Sequence, residues 1–200
     1  MREGGKKLNS VKTQLLAVEA LRALRKFMSG KEVLELLRSG GIKISPVDLS
    51  RYVTGSVLPS PRRSMEMLEL LVEVNALGTV VRRALFVDER GVVNVTKIAH
   101  DSAILSLASA LAYVKLGGSG ITKVVTAAVN GVPLATRVAH VLEAGLCVAK
   151  HEPDASIDSY IETRYFAPDP PRYVHLYLPA FALNAKDRVA VVDLSLIHIS

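Results

Sequence analysis

The sequence predicts an α/β chain: an N-terminal all-α helix-turn-helix module, then a Rossmann-like parallel-sheet domain. Three observations lead there. Residues 121–150 read ITKVVTAAVNGVPLATRVAHVLEAGLCVAK, a strand, a turn, a helix and a strand, which is the building unit of parallel sheets. Residues 1–75 carry only short helical patterns punctuated by Gly and Pro. They also hold thirteen Lys/Arg against eight Asp/Glu, whereas residues 76–200 hold twelve against eleven, so most of the net charge of +6 belongs to the first third. The expected division is a basic helical module over 1–75, a linker helix over 76–91 and a sheet domain over 92–200.

Half of the 200 residues are hydrophobic and only 5% are aromatic, so the core should be Val, Leu, Ile and Ala. No apolar run reaches the roughly 18 residues that would suggest a membrane span. The start, MREGGKKLNS, lacks the apolar stretch of a secretory signal, and a cytoplasmic location is expected. The single cysteine, Cys147, lies in a predicted buried strand. It excludes a disulfide framework and reads as a packed apolar thiol. Charge asymmetry of this kind suits a polyanion-binding module joined to a near-neutral domain, and equally a plain solvated basic face.

Residues 1–10 are polar and are expected to form a loose tail. Over 11–27, Leu15, Leu16, Val18, Leu21 and Leu24 fall at the spacing of an amphipathic helix. Ser29 and Glu32 form a capping box for a helix over 31–38, which should bury Val33, Leu36 and Leu37 and stop at Gly40-Gly41. Ser45-Pro46 opens a third helix through Leu49, Tyr52 and Val53 to Gly55. Ser60-Pro61 opens a fourth, carrying Met65, Leu68, Leu71 and Val72. Two short helices around a glycine-containing turn, inside a basic helical unit, suggest a helix-turn-helix that binds DNA, with 46–53 entering the major groove. Ser45, Asp48, Ser50, Arg51 and Thr54 are its exposed polar side chains, and Lys43, Arg62 and Arg63 are placed to meet phosphates. Asp48 is an awkward member, since a carboxylate repels phosphate unless it reads a cytosine amine. The same helices would also suit a small cap or a dimerisation unit.

Leu77, Val80, Val81, Ala84 and Leu85 continue the helical pattern as a linker, with Arg82 and Arg83 solvated. Residues 88–91 read as a turn and 92–98 as a strand. Asp101 or Ser102 caps an apolar helix over 103–116, with Ile104, Leu107, Leu111 and Val114 on one side. In the central unit, 121–128 is a buried strand and 129–132 a tight turn. Pro133 is the first helical residue, Gly145 the helix stop and 146–149 a second buried strand. Ligands of such sheets sit where strands end and helices begin. Residues 151–169 are polar and are expected to be exposed and mobile. Residues 173–178 alternate as a strand, 185–187 turn, and 188–192 form a third buried strand ending at Asp193.

VVTAAVNGVPLATRVAHVLEAGLCVAKHE resembles the first ligand-binding unit of type I phosphoribosyltransferases. There a strand, a glycine-containing loop and a G-[VI]-P-L-A helix start hold pyrophosphate, and the next strand ends in a basic residue. Asn130, Gly131 and Lys150 match that pattern, whereas Val129 departs from it, because many members carry a charged residue in the loop. The resemblance implies a pyrophosphate or ligand site made by Val129, Asn130, Gly131, Val132, Lys150 and Asp193. It also implies a lid, with Arg164 and Tyr165 as candidate contacts. An ordinary α/β turn and a plain surface hairpin are the alternatives. DRVAVVD resembles the opening of the family's phosphoribosyl pyrophosphate motif, in which two acids hold the ribose hydroxyls and a Thr-Gly-x-Thr loop cradles the 5-phosphate. Here Asp193 is followed by Leu194 rather than by a second acid, and residues 194–200 contain neither glycine nor threonine. The expectation is a reading frame truncated within the motif, leaving a chain inactive as an enzyme in this form.

ISPVDLSRYVTGSVLPSPRRSMEML resembles the helix-turn-helix of repressor-like regulators. Together the two resemblances imply a transcription regulator that binds DNA as a homodimer and senses phosphoribosyl pyrophosphate or a nucleotide. Mg²⁺ would enter only with bound phosphoribosyl pyrophosphate, and no catalytic residue or resident metal is assigned. The rival is a purine- or orotate-type phosphoribosyltransferase enzyme of nucleotide salvage or synthesis.

Overall fold

A computed structural model of the chain describes residues 2–85, 95–127, 129–168 and 170–194. It divides into two compact units, residues 1–115 and 116–200. The first contains α1 (Arg2–Phe27), α2 (Gly30–Ser39), α3 (Pro46–Thr54), α4 (Pro61–Glu73), α5 (Ala76–Ala84), α6 (Val95–Ala99) and α7 (Ser102–Leu116). Helix α1 is its axis and packs against α2, α3, α4 and α5. It buries Leu16, Ala17, Val18, Ala20, Leu21, Ala23 and Leu24, an arc far wider than one amphipathic stripe. The small alanines let neighbouring helices approach from several sides. Leu15, expected inside, is 49% exposed. The loose tail expected over 1–10 is helical from Arg2 onward. Extending an existing helix is far cheaper than nucleating one.

The helix starts follow their local sequence. The capping box before α2 is present: Ser29 Oγ accepts from the Glu32 N–H at 3.2 Å, and the Glu32 carboxylate accepts from the Ser29 N–H at 2.7 Å. Along α2 the buried residues are Val33, Leu34 and Leu37, so Leu34 takes the inward place expected of Leu36. Ser45 and Ser60 cap α3 and α4 one way only, each side chain accepting from the N–H three residues on, each followed by a proline in the first turn, and Gly55 ends α3 at φ 78°. Gly40 has a packing reason: a Cβ there would lie 2.1 Å from Leu70 Cδ1, so the turn after α2 is pressed onto α4.

Helix α5 restarts after Asn75, whose side chain caps it from a left-handed φ of 49°. It is part of the first unit rather than a free linker, because Ala76 and Val80 are fully buried. Nor is Arg83 simply solvated: it donates to Phe27 O at 2.9 Å and to Glu32 Oε1 at 2.7 Å. Of the strand expected over 92–98, residues 92–94 lie outside the described residues, and Val95–Ala99 is helical. Neighbouring Ile98 and Ala99 are both buried, which a one-sided strand cannot provide because its side chains alternate faces. Asp101 is the cap of α7, accepting from the N–H groups of Ala103 and Ile104 at 3.0 and 3.3 Å. The Lys26 ammonium pairs with Asp101 at 2.6 Å. The helix expected to open the sheet domain thus falls within the first unit.

The second unit contains β1 (Lys123–Ala127), a 3-10 turn at Val129–Gly131, α8 (Val132–Leu142), β2 (Gly145–Ala149), β3 (Tyr160–Pro168), β4 (Pro171–Pro179), a 3-10 turn at Ala180–Ala182 and β5 (Val189–Val191). The sheet is parallel, in the order β2-β1-β5. Ala127 pairs with Ala149, and Val125 with Val191. Helix α8 packs on β1 and β2 and buries Ala135, Val138, Ala139 and Val141. It ends at Glu143, which takes the left-handed conformation at φ 56°. The expected stop, Gly145, instead opens β2, where a Cβ would sit 3.0 Å from Lys123 Cδ. Thr122 sets the start of β5: it donates to Asp187 Oδ1 at 2.7 Å and accepts from the Arg188 N–H at 3.1 Å.

The segment expected to be loose, 151–169, contains β3, which pairs antiparallel with β4, the strand expected over 173–178, in a regular hairpin. Its β-branched and aromatic residues, Ile161, Thr163, Tyr165 and Phe166, favour a strand despite the polar flanks. A bridge between Lys150 and Tyr177 ties the base of β4 to the end of β2, and Leu178 is buried with Cys147 and Ala149. No helix among the described residues is long and apolar enough to cross a membrane.

Candidate functional site

Two sets of predicted residues can be followed into the structure. The first lies on α2 and α3. Leu49 and Tyr52 are buried beneath α3, whereas Val47, Ser50, Arg51 and Thr54 are exposed. Asp48, the doubtful member, is spent on the cap. Its N–H donates to Ser45 Oγ at 3.0 Å, and Ser45 Oγ donates to Asp48 Oδ2 at 2.8 Å. Thr54 Oγ1 also turns back, bonding to Arg51 O at 3.1 Å and Ser56 Oγ at 2.9 Å. The cations expected to flank this helix share their surroundings with carboxylates. Arg62 Nε is 2.8 Å from Glu66 Oε1, and Lys43 and Arg63 line a hollow with Glu66, Glu69 and Glu73.

The second set lies at the carboxyl ends of the parallel strands. The turn after β1 leaves Val129 and Asn130 exposed and buries Gly131. Helix α8 then starts with no side-chain cap at Gly131, so its first-turn N–H groups lack the oxygen that starts most helices of the first unit. Gly131 is a contact point: a Cβ there would lie 2.3 Å from Thr126 Oγ1 and 2.8 Å from Asp193 Oδ1. The structure therefore brings Asp193, just past β5, against the turn that follows β1. Lys150 lies at the same end, one residue beyond the Ala127–Ala149 pair. Its ammonium is 3.7 Å from Asp154 Oδ2. Asp154 is held below the usual carboxylate range chiefly by the Ser156 N–H and hydroxyl, with Lys150 a smaller cause.

The sequence did not mark Thr126. It is fully buried at the end of β1, and its Oγ1 has no hydrogen-bond partner among the described residues. The available signal was a hydroxyl set between Val125 and Ala127, just before the turn. Arg164 and Tyr165 do not converge. Adjacent residues of a strand point to opposite faces. Arg164 pairs with His175 and stacks 4.9 Å from the centre of the Tyr173 ring, while Tyr165 pairs with Val174. Cys147 is a buried thiol with its pKa pushed up by burial, donating to Ala182 O at 3.2 Å.

No protein-family model matches the chain, and no curated protein does. Among solved structures, the chain is similar to adenine phosphoribosyltransferase from Rhodothermus marinus DSM 4252, at 20% identity and a TM-score of 0.49, covering 59% of this chain and 68% of that one.

Proposed function

We propose that this chain is a DNA-binding regulator whose second unit senses a phosphorylated ligand, phosphoribosyl pyrophosphate or a nucleotide. The observation that carries the reading is the division of α3: Leu49 and Tyr52 buried beneath it, Val47, Ser50, Arg51 and Thr54 open above it. A short helix capped at Ser45 and stopped at Gly55, with α2 packed beside it, suits the recognition helix of a helix-turn-helix. A homodimer working in the cytoplasm would present two such helices to a two-fold site. The ligand reading is supported by Asp193 beside Gly131 at an uncapped helix start, where backbone N–H groups favour phosphate oxygens. Asn130, Val132 and Lys150 would add contacts to the diphosphate, and Asp193 would take a ribose hydroxyl. Mg²⁺ would accompany the diphosphate.

The test is fluorescence anisotropy of the full chain on duplex DNA over a salt series, with and without phosphoribosyl pyrophosphate. Salt-dependent binding that weakens in Arg51→Gln and shifts with the ligand is expected. Binding that ignores salt, or its absence, would sink the proposal. The rival reading, a phosphoribosyltransferase enzyme, draws on the same pairing of Asp193 with the turn. It predicts release of pyrophosphate when a nucleobase is supplied.

A further inference from the structure

We infer that the DNA backbone is gripped on the α2 side of the recognition helix, by Lys31 and Arg38, rather than by the cations that follow it in sequence. This rests on the DNA-binding reading above and deepens it. An open groove of about 590 Å³ runs between α2 and α3. Its floor is apolar, with Leu34, Leu49 and Val53, and one wall carries Ser50 and Thr54 of the exposed face of α3. Its rim carries Arg25, Lys31 and Arg38 against a single carboxylate, Glu35.

Glu35 neutralises little. Lys31 Nζ is 3.9 Å from Glu35 Oε1, and the two side chains are 86% and 59% exposed, a pair that water and salt screen strongly. Arg25 has a structural task, donating to Met28 O at 2.6 Å. Lys31 and Arg38 remain as the long cationic arms beside the recognition helix. The other flank is balanced. Lys43, Arg62 and Arg63 stand among Glu66, Glu69 and Glu73, three cations to three carboxylates. A polyanion approaching α3 therefore meets excess positive charge on the α2 flank and near-neutral charge on the α4 flank. The rim cations meet a phosphate run of duplex DNA above the apolar floor, and they set position rather than sequence.

The experiment compares two double variants of the full chain on a mixed-sequence duplex by anisotropy over a salt series, with circular dichroism melts reporting folding. Lys31→Gln with Arg38→Gln should lose about tenfold in affinity and flatten the log–log salt slope by roughly 1.8, the share of two phosphate contacts. Lys43→Gln with Arg63→Gln should lose about threefold or less. Glu35→Lys, which adds charge to the same groove, should tighten binding about threefold. An equal or larger loss in the Lys43/Arg63 pair, or no gain from Glu35→Lys, overturns the inference while leaving the DNA reading intact. A wild type with no salt-dependent binding would remove the DNA reading itself.

Discussion

The two units differ in how they settle their polar groups. In the first, the starts of α2, α3, α4, α5 and α7 are closed by a nearby oxygen, from Ser29, Ser45, Ser60, Asn75 and Asp101. Beneath them, Leu21, Leu24, Leu37, Met67, Leu68 and Leu71 are almost wholly shielded from water. In the second unit α8 starts without such a cap, and Thr126 Oγ1 is buried with no partner among the described residues. Both features lie at one end of the sheet, and β5 leaves Val189 and Val191 42% and 73% exposed. A unit that satisfies its own helix starts is a scaffold. A unit that leaves a helix start uncapped and a hydroxyl buried without a partner carries a local cost, since burying an unpaired hydroxyl costs about 1–3 kcal/mol.

The contrast can be broken most forcefully in the first core. Leu24→Ala should remove about 2–5 kcal/mol of stability, through lost burial and the cavity left behind. Denaturant unfolding followed by far-ultraviolet circular dichroism reads the helical unit, and tyrosine fluorescence is dominated by Tyr160, Tyr165, Tyr173 and Tyr177 of the second. The helical transition should move and the tyrosine transition should stay. If both move together, the units do not unfold separately and the comparison fails.

Gly131→Ala sharpens the other side. The new methyl would meet Thr126 and Asp193, and overpacking of this kind costs about 1–3 kcal/mol. The tyrosine transition should fall by that amount, and pyrophosphate binding, measured by calorimetry, should weaken with it. A neutral substitution would mean that the turn is loose and that Asp193 is not held against it. Thr126→Val is smaller and opposite in sign. Replacing an unpaired buried hydroxyl with a methyl of similar shape should stabilise the second unit by about 1 kcal/mol. A loss of stability would show that the hydroxyl has a partner after all.

The smallest effect is electrostatic. The Arg83 guanidinium, with help from the Ser29 N–H, lowers the Glu32 pKa from 4.5 to about 2. A carboxylate depressed in the folded state contributes stability that is fully present above pH 4.5 and is lost as pH falls toward 2. Acid melts of the first unit should therefore steepen in that window, and Glu32→Gln should flatten them. Identical acid profiles would show that the pair does not hold in solution.

Much of the first unit was legible in the chain because its decisive contacts are local. Ser29 finds Glu32, Ser45 finds Asp48 and Ser60 finds Arg63, each three residues on, so the helix starts are written where they occur. Which residues face inward was less legible. Leu34 replaced Leu36 and Leu15 stayed outside, because the wide burial of α1 and the direction from which its neighbours approach are not local properties. The strand misread at 95–98 failed for a related reason: so short a run has no period of its own, and packing chooses its form.

In the second unit the chain announced the strand, the turn and the helix of the central β-α-β element, and the acid that closes the last strand. It could not announce that Asp193 meets Gly131 over the Thr126 hydroxyl, or that Arg164 and Tyr165 part to opposite faces. Helix caps depend on hydrogen bonds spanning a single turn, which composition and spacing already contain. The meeting of Thr126, Gly131 and Asp193 depends on the parallel pairing of β1 with β5, and that register exists only once residues far apart in the chain lie side by side.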